Sequence, residues 1–211
     1  RRSRLEGGLR TAVGDRLPVA VDQRHIDGKI DAGPRHHLPL ERVAVQVDKS
    51  VEALCLYLAT LRAGHVFLPL NSAYQQAEID YFVGNAEPAV VVCSPKNFSW
   101  VSRIAFKAGT AHVFTLGDDR SGSLLERAAH CGDRHSPAAK SADELAAILY
   151  TSGTTGRSKG AMLTHGNLLN NIEQALAMGR SHLDEGREVV LTALPLYHIF
   201  AFTFNLLCFY A

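Results

Sequence analysis

The sequence predicts an α/β fold: a parallel sheet with helices laid against its faces. Three observations carry that expectation. From residue 43 onward, short β-branched runs alternate with segments of helical periodicity. Single helices separate successive strands, which favours parallel pairing through right-handed crossovers. A glycine-, serine- and threonine-rich stretch between residues 150 and 160 then breaks the rhythm. With 211 residues, 46% of them hydrophobic and 20% charged, the chain has the composition of a globular protein able to bury a sizeable core.

The elements follow in order. Residues 43–47 (Val-Ala-Val-Gln-Val) read as the first strand. Ser50 is placed to cap a helix whose apolar positions are Val51, Leu54, Leu58 and Leu61, closed by Gly64. Residues 66–70 form the next strand, 75–84 a helix and 89–93 a strand. Helix is expected over 98–107, strand over 112–116 and a short helix over 124–129. Residues 132–142 are small, polar and proline-containing, so they read as a loop. A strand over 145–150, the glycine-rich loop, a helix over 164–178 and a strand over 188–194 complete the pattern. The strongly apolar run 189–211 is long enough to raise a transmembrane helix. Pro195, His198 and Asn205 interrupt it, so a buried strand, a proline turn and a core helix are expected instead.

Residues 1–42 do not share this rhythm. Arg1, Arg2, Arg4, Arg10, Arg16, Arg24 and Arg35 stand there with His25, His36 and His37 and little apolar periodicity, which reads as a poorly ordered leader. Adjacent histidines point apart, so no metal is expected on His36 and His37, nor elsewhere in the chain. A net charge of +1 gives no reason to expect nucleic acid as a partner. Cys55, Cys93, Cys131 and Cys208 form no C-x-x-C pair and are expected to be reduced, in keeping with a cytoplasmic setting.

The chemistry sits in Tyr150-Thr151-Ser152-Gly153-Thr154-Thr155-Gly156-Arg157-Ser158-Lys159-Gly160. Leaving a strand and leading to a helix, such a loop can converge backbone N–H groups on an anion. Its glycines permit close approach, and Thr151, Ser152, Thr154, Thr155 and Ser158 supply hydroxyl donors. Lys159 adds a mobile cation suited to polyphosphate. It is no Walker A loop, because Ser158 stands where that motif requires glycine before its lysine.

This run, continued by Ala161-Met162-Leu163-Thr164-His165-Gly166-Asn167-Leu168, resembles the AMP-binding signature of adenylate-forming enzymes: acyl-CoA synthetases, peptide-synthetase adenylation domains and luciferases. Residues 43–167 look most like malonyl-CoA synthetases, notably at Ser50-Val51-Glu52-Ala53-Leu54 and Leu68-Pro69-Leu70-Asn71. From Asn171 onward the chain looks more like long-chain fatty acyl-CoA ligases, notably in Leu194-Pro195-Leu196-Tyr197-His198-Ile199-Phe200.

The resemblance implies a partial AMP-binding domain over 43–211, the N-terminal portion of an adenylate-forming enzyme. It implies a two-step reaction in which a small carboxylic acid and ATP give acyl-AMP and pyrophosphate, and coenzyme A then displaces AMP. Thr151, Ser152, Gly153, Thr154, Thr155, Gly156 and Lys159 would hold the phosphates, with Mg²⁺ bridging them. His198 would line the acyl and nucleotide pocket, while His165 would be structural beside the helix cap Thr164. The family's adenine-binding segments, Mg²⁺-linked acidic residue and terminal catalytic lysine would lie further on, so the chain alone is expected to turn over little. Peripheral membrane contact would accompany long-chain specificity. Two other readings stand beside this one: a non-catalytic nucleotide-binding remnant, and an adenylation domain that loads a carrier protein.

Overall fold

The computed structural model describes residues 41–151, 158–179 and 189–210. In chain order these hold β1 (Arg42–Gln46), α1 (Val51–Arg62), β2 (Val66–Pro69), α2 (Gln76–Ala86), β3 (Val90–Cys93) and α3 (Phe98–Lys107). Next come β4 (His112–Thr115), α4 (Ser123–Ala129), β5 (Leu145–Thr151), β6 (Lys159–Thr164), α5 (His165–Gly179) and α6 (Ile199–Tyr210). The expected leader, apart from Glu41 and Arg42, lies outside the described residues, and Arg42 is the first residue of β1.

The strands form one six-stranded sheet in the order β4-β3-β1-β2-β5-β6. The expected α/β class is borne out, with β1 to β5 pairing in parallel. Both faces are covered, so the central strands are continuously apolar and their two sides differ only in which helices they meet. Val43, Val45, Phe67, Val90 and Val92 pack with Leu56 and Tyr57 of α1 and Phe202 of α6. The alternate residues Ala44, Leu68, Val91 and Cys93 pack with Ile79, Phe82 and Val83 of α2 and with Val101 and Ile104 of α3. The opposite placement of α1 and α2 follows from handedness: the step from β1 to β2 runs one way, and the step from β2 to β3 runs back past β1.

Local chemistry sets several boundaries. Ser50 Oγ accepts from the Ala53 N–H at 3.0 Å, the expected cap of α1. Gly64 ends that turn with φ +78°, where a Cβ would lie 2.5 Å from Lys140 Cε. Thr164 and Asn167 cap α5 reciprocally, Asn167 N–H donating to Thr164 Oγ1 at 3.1 Å and Thr164 N–H to Asn167 Oδ1 at 3.0 Å.

Two expectations need correction. The glycine-rich loop does not lead directly to a helix, because β6 intervenes and pairs antiparallel with β5. Residues 189–194 form no strand: Val189 and Leu191 are almost fully exposed, and the Lys49 ammonium holds the backbone by donating to the Thr192 and Ala193 carbonyls at 2.7 and 3.0 Å. The helix expected after the proline turn is present as α6, with Ala201, Phe202 and Asn205 buried. No described helix is long and apolar enough to cross a membrane.

Candidate active site

In an open parallel sheet, ligands bind beyond the carboxyl ends of the strands, where the chain direction reverses. Here that point lies at β1, whose neighbours β2 and β3 are entered from opposite directions. Gln46 closes β1 and is buried. Its Nε2 donates to the carbonyls of Tyr74 (2.9 Å) and Asn71 (3.2 Å), and its Oε1 accepts from Asn97 Nδ2 at 3.4 Å. One amide thus fixes the loops that follow β2 and β3.

Thr151 ends β5 at this same edge, and Lys159 begins β6 opposite it in direct register. Thr151 Oγ1 lies 3.5 Å from the Lys159 carbonyl oxygen. A threonine and a lysine from the two ends of the loop therefore stand opposite each other on neighbouring strands, residue types suited to a polyphosphate. Ser152, Gly153, Thr154, Thr155 and Gly156 lie outside the described residues. The correction to the loop matters chemically. The anion-binding potential rests on an antiparallel hairpin carrying Thr151 and Lys159, with the N-terminus of α5 a whole strand away.

Gly160 is required by packing. A Cβ there would stand 2.9 Å from Ile148 Cγ2 and 3.5 Å from the Tyr150 ring. Both stems of the hairpin also reach α2. The Tyr81 hydroxyl donates to the Ser158 carbonyl at 2.9 Å, and the Tyr150 hydroxyl donates to Asn85 Oδ1 at 2.6 Å. Tyr150 packs on Phe82 with ring centroids 4.3 Å apart, and burial raises its phenol above the ordinary tyrosine range. Sequence reasoning missed Tyr81 and Asn85. Their i, i+4 spacing marks one face of a helix, but nothing local shows that this face meets residues more than sixty positions away.

His198 stands elsewhere, exposed at the start of α6. Its Nδ1 accepts from the Phe200 N–H at 3.3 Å, and its carbonyl accepts from Phe202 N–H at 3.0 Å, the bonding of a residue that starts a helix. The preceding Leu196 and Tyr197 line an apolar cleft with Val45, Tyr57, Pro69 and Phe202. The structure thus unites Thr151 with Lys159 and leaves His198 on a separate element.

A further polar group lies at the opposite edge of the sheet. Glu144 accepts from Ser141 N–H at 2.6 Å and from Lys140 Nζ at 3.0 Å, which hold its carboxyl down at about 2. His65 and His165 are held below the ordinary histidine range, first by burial and then by the Lys140 ammonium. His65 Nδ1 and His165 Nε2 are buried without a hydrogen-bond partner, so His165 reads as a packing residue. Burial also pushes the Cys93 thiol up to about 12, as expected of an inert core cysteine. Among the described residues, no group of three or more His, Cys, Asp or Glu side chains is placed to hold a metal.

The AMP-binding enzyme family matches residues 37–211. A long-chain-fatty-acid–CoA ligase of Salmonella typhimurium is 32% identical, the match covering 80% of this chain and 35% of that protein. The mitochondrial malonate–CoA ligase of Bos taurus is 30% identical, covering 80% of this chain and 28% of the relative. The crystal structure of ATP-bound MatB from Rhodopseudomonas palustris is similar with a TM-score of 0.73 and 49% identity, over 82% of this chain and 34% of that one. The chain spans about a third of the length of the curated relatives it matches.

Proposed function

This chain belongs to the AMP-binding enzyme family, and from that premise we propose that it supplies the nucleotide-phosphate site of an ATP-dependent carboxylate–CoA ligase. In the proposed reaction a substrate carboxylate oxygen attacks the α-phosphate of ATP. The bond from that phosphorus to the bridging oxygen breaks, and pyrophosphate leaves. Coenzyme A then attacks the acyl carbon and AMP departs. The single observation that carries this reading is the register of Thr151 against Lys159 at the carboxyl edge of the sheet, in the stretch that bears the family's signature.

Displacement at phosphorus is catalysed mainly by positioning and by neutralising charge. Lys159, with the hydroxyls and amides of Thr151, Ser152, Gly153, Thr154, Thr155 and Gly156, is assigned to the departing β- and γ-phosphates. His198, beside the cleft that Leu196 and Tyr197 line, is assigned to the acyl side. Among the described residues no group of three or more His, Cys, Asp or Glu side chains is placed to hold a metal, so Mg²⁺ would be held chiefly through the nucleotide's own phosphates. The acid is assigned to one of the classes named among the relatives: a short dicarboxylate such as malonate or oxalate, or a long-chain fatty acid. The unit is a partial adenylation domain from residue 43 onward.

ATP–pyrophosphate exchange tests the reaction class when run on the full-length protein with malonate, fatty acids of graded length and the amino acids. Exchange dependent on malonate or a fatty acid supports the reading and identifies the acid. Exchange driven by an amino acid would overturn it in favour of carrier-protein loading.

A further inference from the structure

We propose that α2 is the latch of the nucleotide loop, with Tyr81 and Asn85 as its positioning residues. The inference rests on the nucleotide reading of Thr151 and Lys159 and adds the element that sets their spacing.

Among the described residues β6 is an edge strand whose sheet partner is β5. Its first four residues, Lys159 to Met162, are exposed, so little apolar burial resists fraying at the end that carries Lys159. A frayed end would leave the ammonium free to wander, and a charge that must be collected on binding costs affinity. The Tyr81 hydroxyl meets this need one residue away, holding the Ser158 carbonyl at 2.9 Å. Asn85 stands one helical turn further along α2 and accepts from Tyr150 at 2.6 Å, next to Thr151 at the end of β5. One face of one helix therefore holds both stems of the hairpin.

The latch is itself rigid. α2 buries Ile79, Phe82 and Val83 in the core. Its first turn is closed by a capping box in which Gln75 N–H donates to Glu78 Oε2 at 2.7 Å. The Tyr81 ring lies 6.2 Å from the Tyr150 ring, edge to face, so the two contacts share one aromatic platform. A purely structural role would need only the rings. The Tyr81 hydroxyl is directed at the Ser158 carbonyl beside Lys159, and the hydroxyl of Tyr150, beside Thr151, is directed at Asn85.

The test uses Tyr81→Phe, which keeps the ring and removes the bond, with Asn85→Ala as a second variant at an exposed helix position. Amide exchange is followed at residues 158–161 and at Thr151, with α1 amides as the internal reference. ATP affinity is measured by calorimetry on the same samples. Tyr81→Phe is expected to speed exchange at residues 158–161 by about three- to ten-fold, the opening that one lost hydrogen bond allows, and to weaken ATP by a similar factor. Asn85→Ala is expected to loosen Thr151 selectively, and α1 exchange should not move in either variant. Unchanged exchange beside the loop would overturn the latch. Faster exchange with unaltered ATP affinity would overturn its positioning role. A wild-type chain that binds no ATP would refute the nucleotide reading itself, and the exchange comparison would still decide whether α2 holds the hairpin.

Discussion

Replacing Phe202 with alanine separates two views of α6: a helix integral to the core, or an apolar tail resting on it. Phe202 is 1% exposed and stacks with Tyr57 and Phe67 at centroid distances of 3.9 and 5.7 Å. Truncating a buried phenylalanine removes its transfer energy and leaves a cavity, together about 3–5 kcal/mol. The lost ring pairs place this site toward the upper end. Phe204 is an internal control two residues along, 37% exposed and stacked only on the exposed Phe200 among the described rings. Phe204→Ala should cost about 1–2 kcal/mol, since transfer gain scales with the area buried and a half-exposed ring leaves no enclosed cavity. Urea unfolding followed by circular dichroism reads both. Phe202→Ala should have a much lower midpoint, with an unchanged slope, and Phe204→Ala one much closer to the wild type. Equal midpoints would refute the placement of α6, and with it the cleft lined by Leu196 and Tyr197.

Three further outcomes are expected. Gln46→Leu leaves the Asn71 and Tyr74 carbonyls without their donor and should cost about 1–3 kcal/mol, read as a shift in thermal midpoint; a neutral result would show that water replaces the amide freely. His65 and His165 have depressed folded-state pKa values, so between those values and the unfolded value near 6.5 the unfolded chain binds more protons. Stability is then full above pH 6.5 and falls as the pH drops below it; urea midpoints at pH 7.5 and 5.5 should differ, and His165→Gln should shrink the difference. Gly64→Ala combines a strained φ of +78° with a Cβ only 2.5 Å from Lys140 Cε, and should destabilise by about 1 kcal/mol or more in the same urea assay.

The elements that were legible are those whose signals are local. Ser50 announces a helix because its hydroxyl bonds three residues on, and residues 90–93 announce a strand because a doubly covered strand is apolar throughout. β6 was illegible because Gly160 and Ala161 at an exposed edge carry neither alternation nor β-branching. Residues 189–194 failed in the opposite sense. Their apolar run reads as a buried strand, yet Val189 and Leu191 face outward and Lys49 holds the backbone in place of a ladder. Apolarity records a preference for burial, and which surface satisfies it is decided by distant chain. The candidate site divides in the same way. Thr151 and Lys159 were visible as types of residue, and their register became visible only with β6 in place. Tyr81, 77 positions from Ser158, had no local mark.

Lys159, set against Thr151, is proposed to hold the phosphates of ATP. Calorimetric titration of ATP at fixed salt into the wild-type chain and Lys159→Ala tests it most directly. Loss of a charge-assisted contact to phosphate is worth about 1.5–3 kcal/mol, so ATP should bind the wild-type chain and bind Lys159→Ala about ten-fold or more weakly, with the thermal midpoint unmoved. Equal affinity in the two proteins would contradict it.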